Sequence, residues 1–168
     1  MTWYKWSTTA ATNATADGTI NWAEGMAPSA VNDSARGMMA AAAKYRKDIG
    51  GVITGGSSTA YTAATNQVFD SLANLSGNIL TISPHTTSGA SPTLNVDGLG
   101  AKAINISTGV AIPTGALIAA TPYQVVYVNA STEFILVGGV GVLSTVSGSS
   151  VSGGMVATQA QMETATAI

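Results

Sequence analysis

Cysteine is absent, so neither a disulfide framework nor a thiolate metal site can hold this chain together. Charge is scarce too: Asp, Glu, Lys and Arg make up 8% of the 168 residues, against roughly a quarter in ordinary soluble domains. At a net charge of −2 the chain has no electrostatic grip on DNA or RNA, and nucleic acid is not an expected partner. Histidine is limited to His85, between Pro84 and Thr86 at what reads as a strand-to-turn junction. One imidazole without cysteine cannot make a familiar zinc set. A triad through His85 would need Asp70 or Asp97, and no Gly-x-Ser-x-Gly elbow is present. The acidic residues are too scattered for a glycosidase pair, whether Asp70 with Asp97 or Asp97 with Glu133. Gly138-Gly-Val-Gly lacks the Lys and Ser/Thr of a phosphate-binding loop. No catalytic residue, metal or cofactor is therefore expected, and a non-enzymatic role is.

Long apolar runs are missing as well. The longest, Phe134 to Leu143, is broken by Gly138, Gly139 and Gly141, where a bilayer helix needs about 20 residues. The opening Met1-Thr-Trp-Tyr-Lys-Trp has no apolar signal core. Membrane insertion is not expected. What the chain has is Thr, Ser, Ala and 19 glycines, with 46% hydrophobic residues. That composition suits a β-rich protein whose uncharged surface has neighbours to cover it.

Four segments follow from composition: an aromatic arm over 1–28, a helix over 29–51, a β-domain over 52–143, and a Ser/Gly linker with a short terminal helix over 144–168. All three tryptophans, Trp3, Trp6 and Trp22, lie in the arm with Tyr4, along a stretch that reads as extended and turns at Asp17-Gly18. Such rings carry about 150–250 Å² each and must be buried by something. Either they pack on this chain's own helix or β-domain, or they anchor into a neighbouring protein.

After Pro28 a helix is predicted from Ser29, as its cap, to Ile49, with Asp33 early, Lys44, Arg46 and Lys47 late, and Gly50-Gly51 as the stop. Arg36 with Asp33 and Lys44 with Asp48 read as solvated surface pairs. Val31, Ala35, Met38, Ala42, Tyr45 and Ile49 repeat at alternating four- and three-residue intervals, an a/d seam. Its partner is either the β-domain or, as the favoured expectation, sister copies in a short parallel trimeric bundle. Gly37 lies off the seam and weakens the helix by up to about 1 kcal/mol.

From Leu80 onward, period-two alternation marks short strands: Leu80/Ile82, Leu94/Val96, Ile104/Ile106, and Tyr123 to Val128 turning through Asn129 to Thr132 into Phe134. Pro84, Pro92, Pro113 and Pro122 fall between them. Strand spacing of about ten residues predicts a small antiparallel sandwich or barrel. Val125, Val126 and Val128 are apolar on both faces of their strand, so a second subunit is a candidate to cover one face. Thr158-Gln-Ala-Gln-Met opens a last short helix through a capping box.

These residues carry a resemblance. Trp6-Ser-Thr-Thr-Ala-Ala-Thr-Asn, followed by Ile20-Asn-Trp-Ala-Glu-Gly-Met-Ala-Pro-Ser-Ala-Val-Asn-Asp-Ser-Ala-Arg-Gly-Met-Met-Ala, resembles the N-terminal, virion-proximal region of tailed-phage tail fibres and tailspikes. Pro92 to Ile104, Gly115 to Ala119 and Tyr123 to Phe134 look like the β-domain that follows in that family, and Ala157 to Glu163 like its short helical connector. The resemblance implies a homotrimeric structural protein of the virion tail. Trp3, Tyr4, Trp6, Trp22, Glu24 and Gly25 would form the tail-attachment arm, and Asn32, Asp33 and Arg36 would help fix the helix. Its partners would be the tail hub or adaptor and a distal fibre or spike, which would dock at Thr158, Gln161 and Met162. Family members usually continue past the connector, so a second protein is expected to carry receptor binding. Alternatives of the same module are a head fibre, collar or baseplate protein, or a short fibre whose β-domain binds host-surface glycan.

Overall fold

The computed structural model describes residues 2–20 and 22–137. Among the described residues, nine strands follow one long helix, α1 (Pro28–Gly50). They are β1 (Val52–Ile53), β2 (Gly55–Gly56), β3 (Ala60–Ala63), β4 (Ile79–Ser83), β5 (Thr93–Val96), β6 (Lys102–Ser107), β7 (Val110–Ala111), β8 (Tyr123–Val128) and β9 (Glu133–Val137). A four-residue helix, α2 (Leu72–Leu75), precedes β4 and is capped by the Ser71 hydroxyl, which accepts from the Asn74 amide.

The strands form one sheet in the order β1-β4-β8-β9-β6-β5-β3-β2, with β7 hanging on β6. Its two ends, β1 and β2, are separated in the chain by Thr54 alone, so the sheet bends round into a nearly closed barrel. Thr54 is the corner. It is buried, its amide donates to the Ser83 carbonyl at 3.0 Å, and its hydroxyl accepts from the His85 amide at 3.1 Å. The same hydroxyl meets His85 Nδ1 at 3.0 Å. Immediately after the corner, Gly56 holds φ at 89°, and a Cβ there would stand 2.1 Å from the Ala60 carbonyl oxygen, so no other residue fits.

The expectation of an antiparallel sandwich or barrel is corrected: the sheet is mixed. β1 with β4, β3 with β5 and β6 with β9 pair in parallel. Spacing of turns suggested hairpins, but these partners are not consecutive in the chain, and parallel pairs require long crossovers. The predicted final hairpin is present, β8 pairing β9 from Gln124↔Val137 to Val128↔Glu133 around the four-residue loop. Ile104 and Ile106, expected on one face, part company: Ile104 is buried and Ile106 exposed, because the β6–β7 register shifts between Asn105 and Ser107.

The interior holds Val52, Tyr61, Leu80, Ile82, Leu94, Val96, Ile104, Val125, Tyr127, Phe134 and Leu136, with Phe69 and Leu75 from the connections. Burying each large side chain stabilises the fold by about 1.5–3 kcal/mol. α1 contributes nothing to this core and lies outside the barrel, joined to β4 and β1 through its C-terminal end. There the Thr81 hydroxyl donates to the Ile49 carbonyl at 2.7 Å.

The helix runs close to its predicted limits, but Ala27 rather than Ser29 is the N-cap, with Pro28 in the first turn and no side-chain cap. The expected trimeric helical bundle is overturned. α1 buries Ser34, Gly37, Ala41 and Asp48 within its own chain, and among the described residues no other long helix accompanies it. Small side chains at 34, 37 and 41 permit close approach, so Gly37 is a packing position and not merely a weak point. The arm is likewise not extended. Short 3-10 turns at Trp3–Lys5 and Ala10–Ala14 and a tight Asp17↔Ile20 bridge fold it back over the chain. The connector predicted over 144–168 lies outside the described residues.

Candidate attachment surface

The arm's aromatic residues divide between inward and outward duties. Tyr4 stacks on Phe69 at 4.7 Å between centroids, and its hydroxyl donates to the Val68 carbonyl at 3.1 Å. Trp3 lies flat on Tyr45 of α1, with centroids 4.9 Å apart and planes 7° from parallel, and Trp6 leans on Trp3 at 5.7 Å. For Tyr4 the reading in which the ring packs on its own chain prevails. Trp3 and Trp22 keep 41% and 38% of their surface exposed despite their size, so they still have area to offer a partner. Glu24 and Gly25 are exposed, with Gly25 at φ 76° in the turn that leads into the helix.

Of the seam residues, Val31, Ala35, Met38, Ala42 and Ile49 face solvent, and Tyr45 is half-buried beneath Trp3. Met39, beside the seam, is 72% exposed. α1 thus has two faces: one of small residues turned to its own chain and one of larger apolar residues left uncovered. Arg36 pairs with Asp33 at 3.1 Å on the exposed surface, as predicted. An exposed pair of this kind stabilises the helix by only about 0.3–0.5 kcal/mol. Thr158, Gln161 and Met162 lie outside the described residues.

The predicted Lys44–Asp48 surface pair is corrected. Asp48 is 1% exposed and points inward. Its carboxylate accepts from the Asn66 amide and side chain, both at 2.7 Å, and from the Gln67 amide and side chain at 3.1 and 3.2 Å. It ties α1 to the loop between β3 and α2. Asp97 does the same from the other side of that loop, accepting from the Thr65 amide and hydroxyl at 2.7 and 2.6 Å and from the Phe69 amide at 2.8 Å. Its Asp97-Gly98 turn was the one available sequence signal.

Two more acidic residues work as staples. Glu133 accepts from the Asn105 side chain and the Gly109 amide, pinning β9 to the β6–β7 ribbon. Burial would raise its pKa, but the hydrogen bonds from Gly109, Ser131, Asn105 and Thr108 outweigh it and hold the carboxyl below its ordinary value. In the arm, burial would likewise raise Asp17, yet bonds from Thr19 and the Thr2 amide bring it down to about 2. Asp70 is lowered first by the Asn74 side chain and then by Lys5, 3.3 Å away. Asp70, Asp97 and Glu133 are each engaged with separate local donors. Among the described residues no three of His, Asp and Glu gather, and no helix is long and apolar enough to cross a membrane. The β-domain's aromatic side chains are interior or half-buried: Tyr61, Phe69, Tyr127 and Phe134 are buried, and the Tyr123 hydroxyl accepts from the Ile118 amide at 2.9 Å.

No protein-family model matches the chain, and no curated protein matches it.

Proposed function

We propose that this chain is a structural protein of a phage tail, a homotrimeric fibre or tailspike adaptor. It joins the tail to distal receptor-binding components in host attachment, without catalysing a reaction. The reading rests on the motif running from Trp6 through Ala40, which resembles the virion-proximal region of tail fibres. It is supported by how that motif is spent: nearly all of it lies outside the barrel core, and it leaves Trp22, Val31, Met38 and Met39 exposed. A segment whose aromatic and apolar side chains do not build the core is suited to contact with other proteins. In this reading Trp3, Trp22, Glu24 and Gly25 face the tail hub, while Tyr4 only holds the arm to the barrel. The β-domain is a spacer rather than a glycan-binding tip, since its rings are turned inward or half-buried.

Locating the chain in assembled particles by electron microscopy tests the assignment. Density at the junction of tail and fibre is the expected result; density in the head or collar overturns it. Deleting residues 155–168 is expected to leave the oligomer intact while particles lose their distal component.

A further inference from the structure

Among the described residues, the barrel has an apolar outer face that no helix or strand packs across. Along β4, β8 and β9 the side chains alternate, and the core takes Leu80, Ile82, Val125, Tyr127, Phe134 and Leu136. The intervening positions point outward. Cross-strand register sets Ile79 beside Val126 and Val126 beside Ile135 in one row, with Val137 opposite Gln124 and Val128 opposite Glu133 on either side. None of Ile79, Val126, Val128, Ile135 or Val137 belongs to the core cluster; Ile79 and Val137 are each 40% exposed, and Val126, Val128 and Ile135 between them are half-buried. A sheet face left to water normally carries polar residues at such positions. α1 of the same chain meets this face at its β4 border, at Thr81.

Among the described residues there are thus two outward apolar faces of different shape, the outer stripe of α1 and the outer face of β4-β8-β9. We infer that they cover each other between copies: α1 of one subunit lies on the β4-β8-β9 face of the next. The dimensions agree, since three strands span about 10 Å and a helix with its side chains is about 10–12 Å wide. Charge favours this pairing over helix against helix. Arg36 is already paired with Asp33, but Arg46 and Lys47 are exposed at the end of α1, and a parallel helix–helix contact would set two such ends together. Of the outward positions of the sheet face (Ile79, Thr81, Ser83, Gln124, Val126, Val128, Glu133, Ile135 and Val137), Glu133 alone is ionisable, and it sits at the margin with its carboxylate held by Asn105 and Gly109. Because the two faces differ, the contact is head-to-tail, and three repeats close into a ring. The inference rests on the homotrimer of the proposed function but needs no bundle of helices.

The absence of native cysteine makes the test direct. In the full chain, Met38→Cys, Val126→Cys and the double variant are treated with a short bis-maleimide. Covalent dimers and trimers are expected only from the double variant, and dimers from an equimolar mixture of the two single variants. Dimers from Met38→Cys alone would show helix on helix, and dimers from Val126→Cys alone sheet on sheet; either overturns the inference. A chain that is trimeric by mass but does not cross-link between 38 and 126 also overturns it while leaving the tail assignment intact. A monomeric mass overturns both the contact and the homotrimer. Because Val126 points outward, Val126→Asp is expected to dissociate the oligomer while keeping its circular dichroism spectrum. A Val126→Asp protein that stays trimeric refutes the contact.

Discussion

Replacing Asp48 by Ala tests the tie between α1 and the barrel most sharply. The carboxylate serves four N–H donors, two of them backbone amides that cannot rotate away, and it is almost wholly buried. The Asn66 and Gln67 side chains can seek other partners, whereas a buried amide left without an acceptor costs about 1–3 kcal/mol. Two such amides set the loss at about 3 kcal/mol, with a floor near 2 kcal/mol. For a chain of this size each kcal/mol moves the unfolding midpoint by about 2–4 °C, so a drop of about 6–12 °C is expected. The measurement is thermal or urea unfolding at one fixed protein concentration, since association shifts apparent stability. Asp33→Ala, which removes only an exposed pair, is the control and should cost under about 0.5 kcal/mol. If Asp48→Ala proves as mild as its control, the carboxylate is not an interior acceptor and the docking of α1 described above is wrong.

Thr54→Val keeps the shape of the corner between β1 and β2 but removes its hydroxyl from the His85 amide; a loss of about 1–3 kcal/mol in urea unfolding is expected. Gly37→Leu should destabilise by about 1–3 kcal/mol through overpacking, because Gly37 lies on the buried face of α1; a neutral result would return that face to solvent. Asp17 sits below its ordinary 3.8, at about 2. A depressed carboxyl adds stability above its unfolded value, so the arm's share is complete above about pH 4 and is lost as pH falls toward about 2. Titration of the Asp17 carboxyl followed by NMR checks this, and a midpoint at the ordinary value would contradict it.

Much of the local structure was legible in the residues. The limits of α1 follow from Pro28, the late cations and Gly50-Gly51, because helix ends are set by nearby caps and charges. The β8–β9 hairpin follows from alternation on both sides of a four-residue polar loop, again a local matter. The exposure of Val31, Ala35, Met38, Ala42 and Ile49 agrees with a stripe not needed by the barrel, but periodicity could not say which face of the helix its own chain would take. Of the residues proposed for attachment, Trp3 and Trp22 keep exposed surface and Tyr4 is stacked on Phe69, a distinction that depends on where Phe69 stands.

Sequence alone determined α1, the strands β4, β5, β6, β8 and β9, the uncharged β-rich character and the concentration of aromatic residues ahead of the helix, since these depend on neighbours a few positions away. Tertiary structure alone decided that β1 pairs with β4, β3 with β5 and β6 with β9, and that Asp48 turns inward to a loop 18 residues further on. It also decided that Thr54 closes the sheet. Such outcomes depend on which distant donors and surfaces arrive at a residue, and no spacing along the chain encodes that arrival. Gly37 could be read beforehand only as a weak point of the helix; packing made it, with Ser34 and Ala41, the face that α1 turns to its own chain.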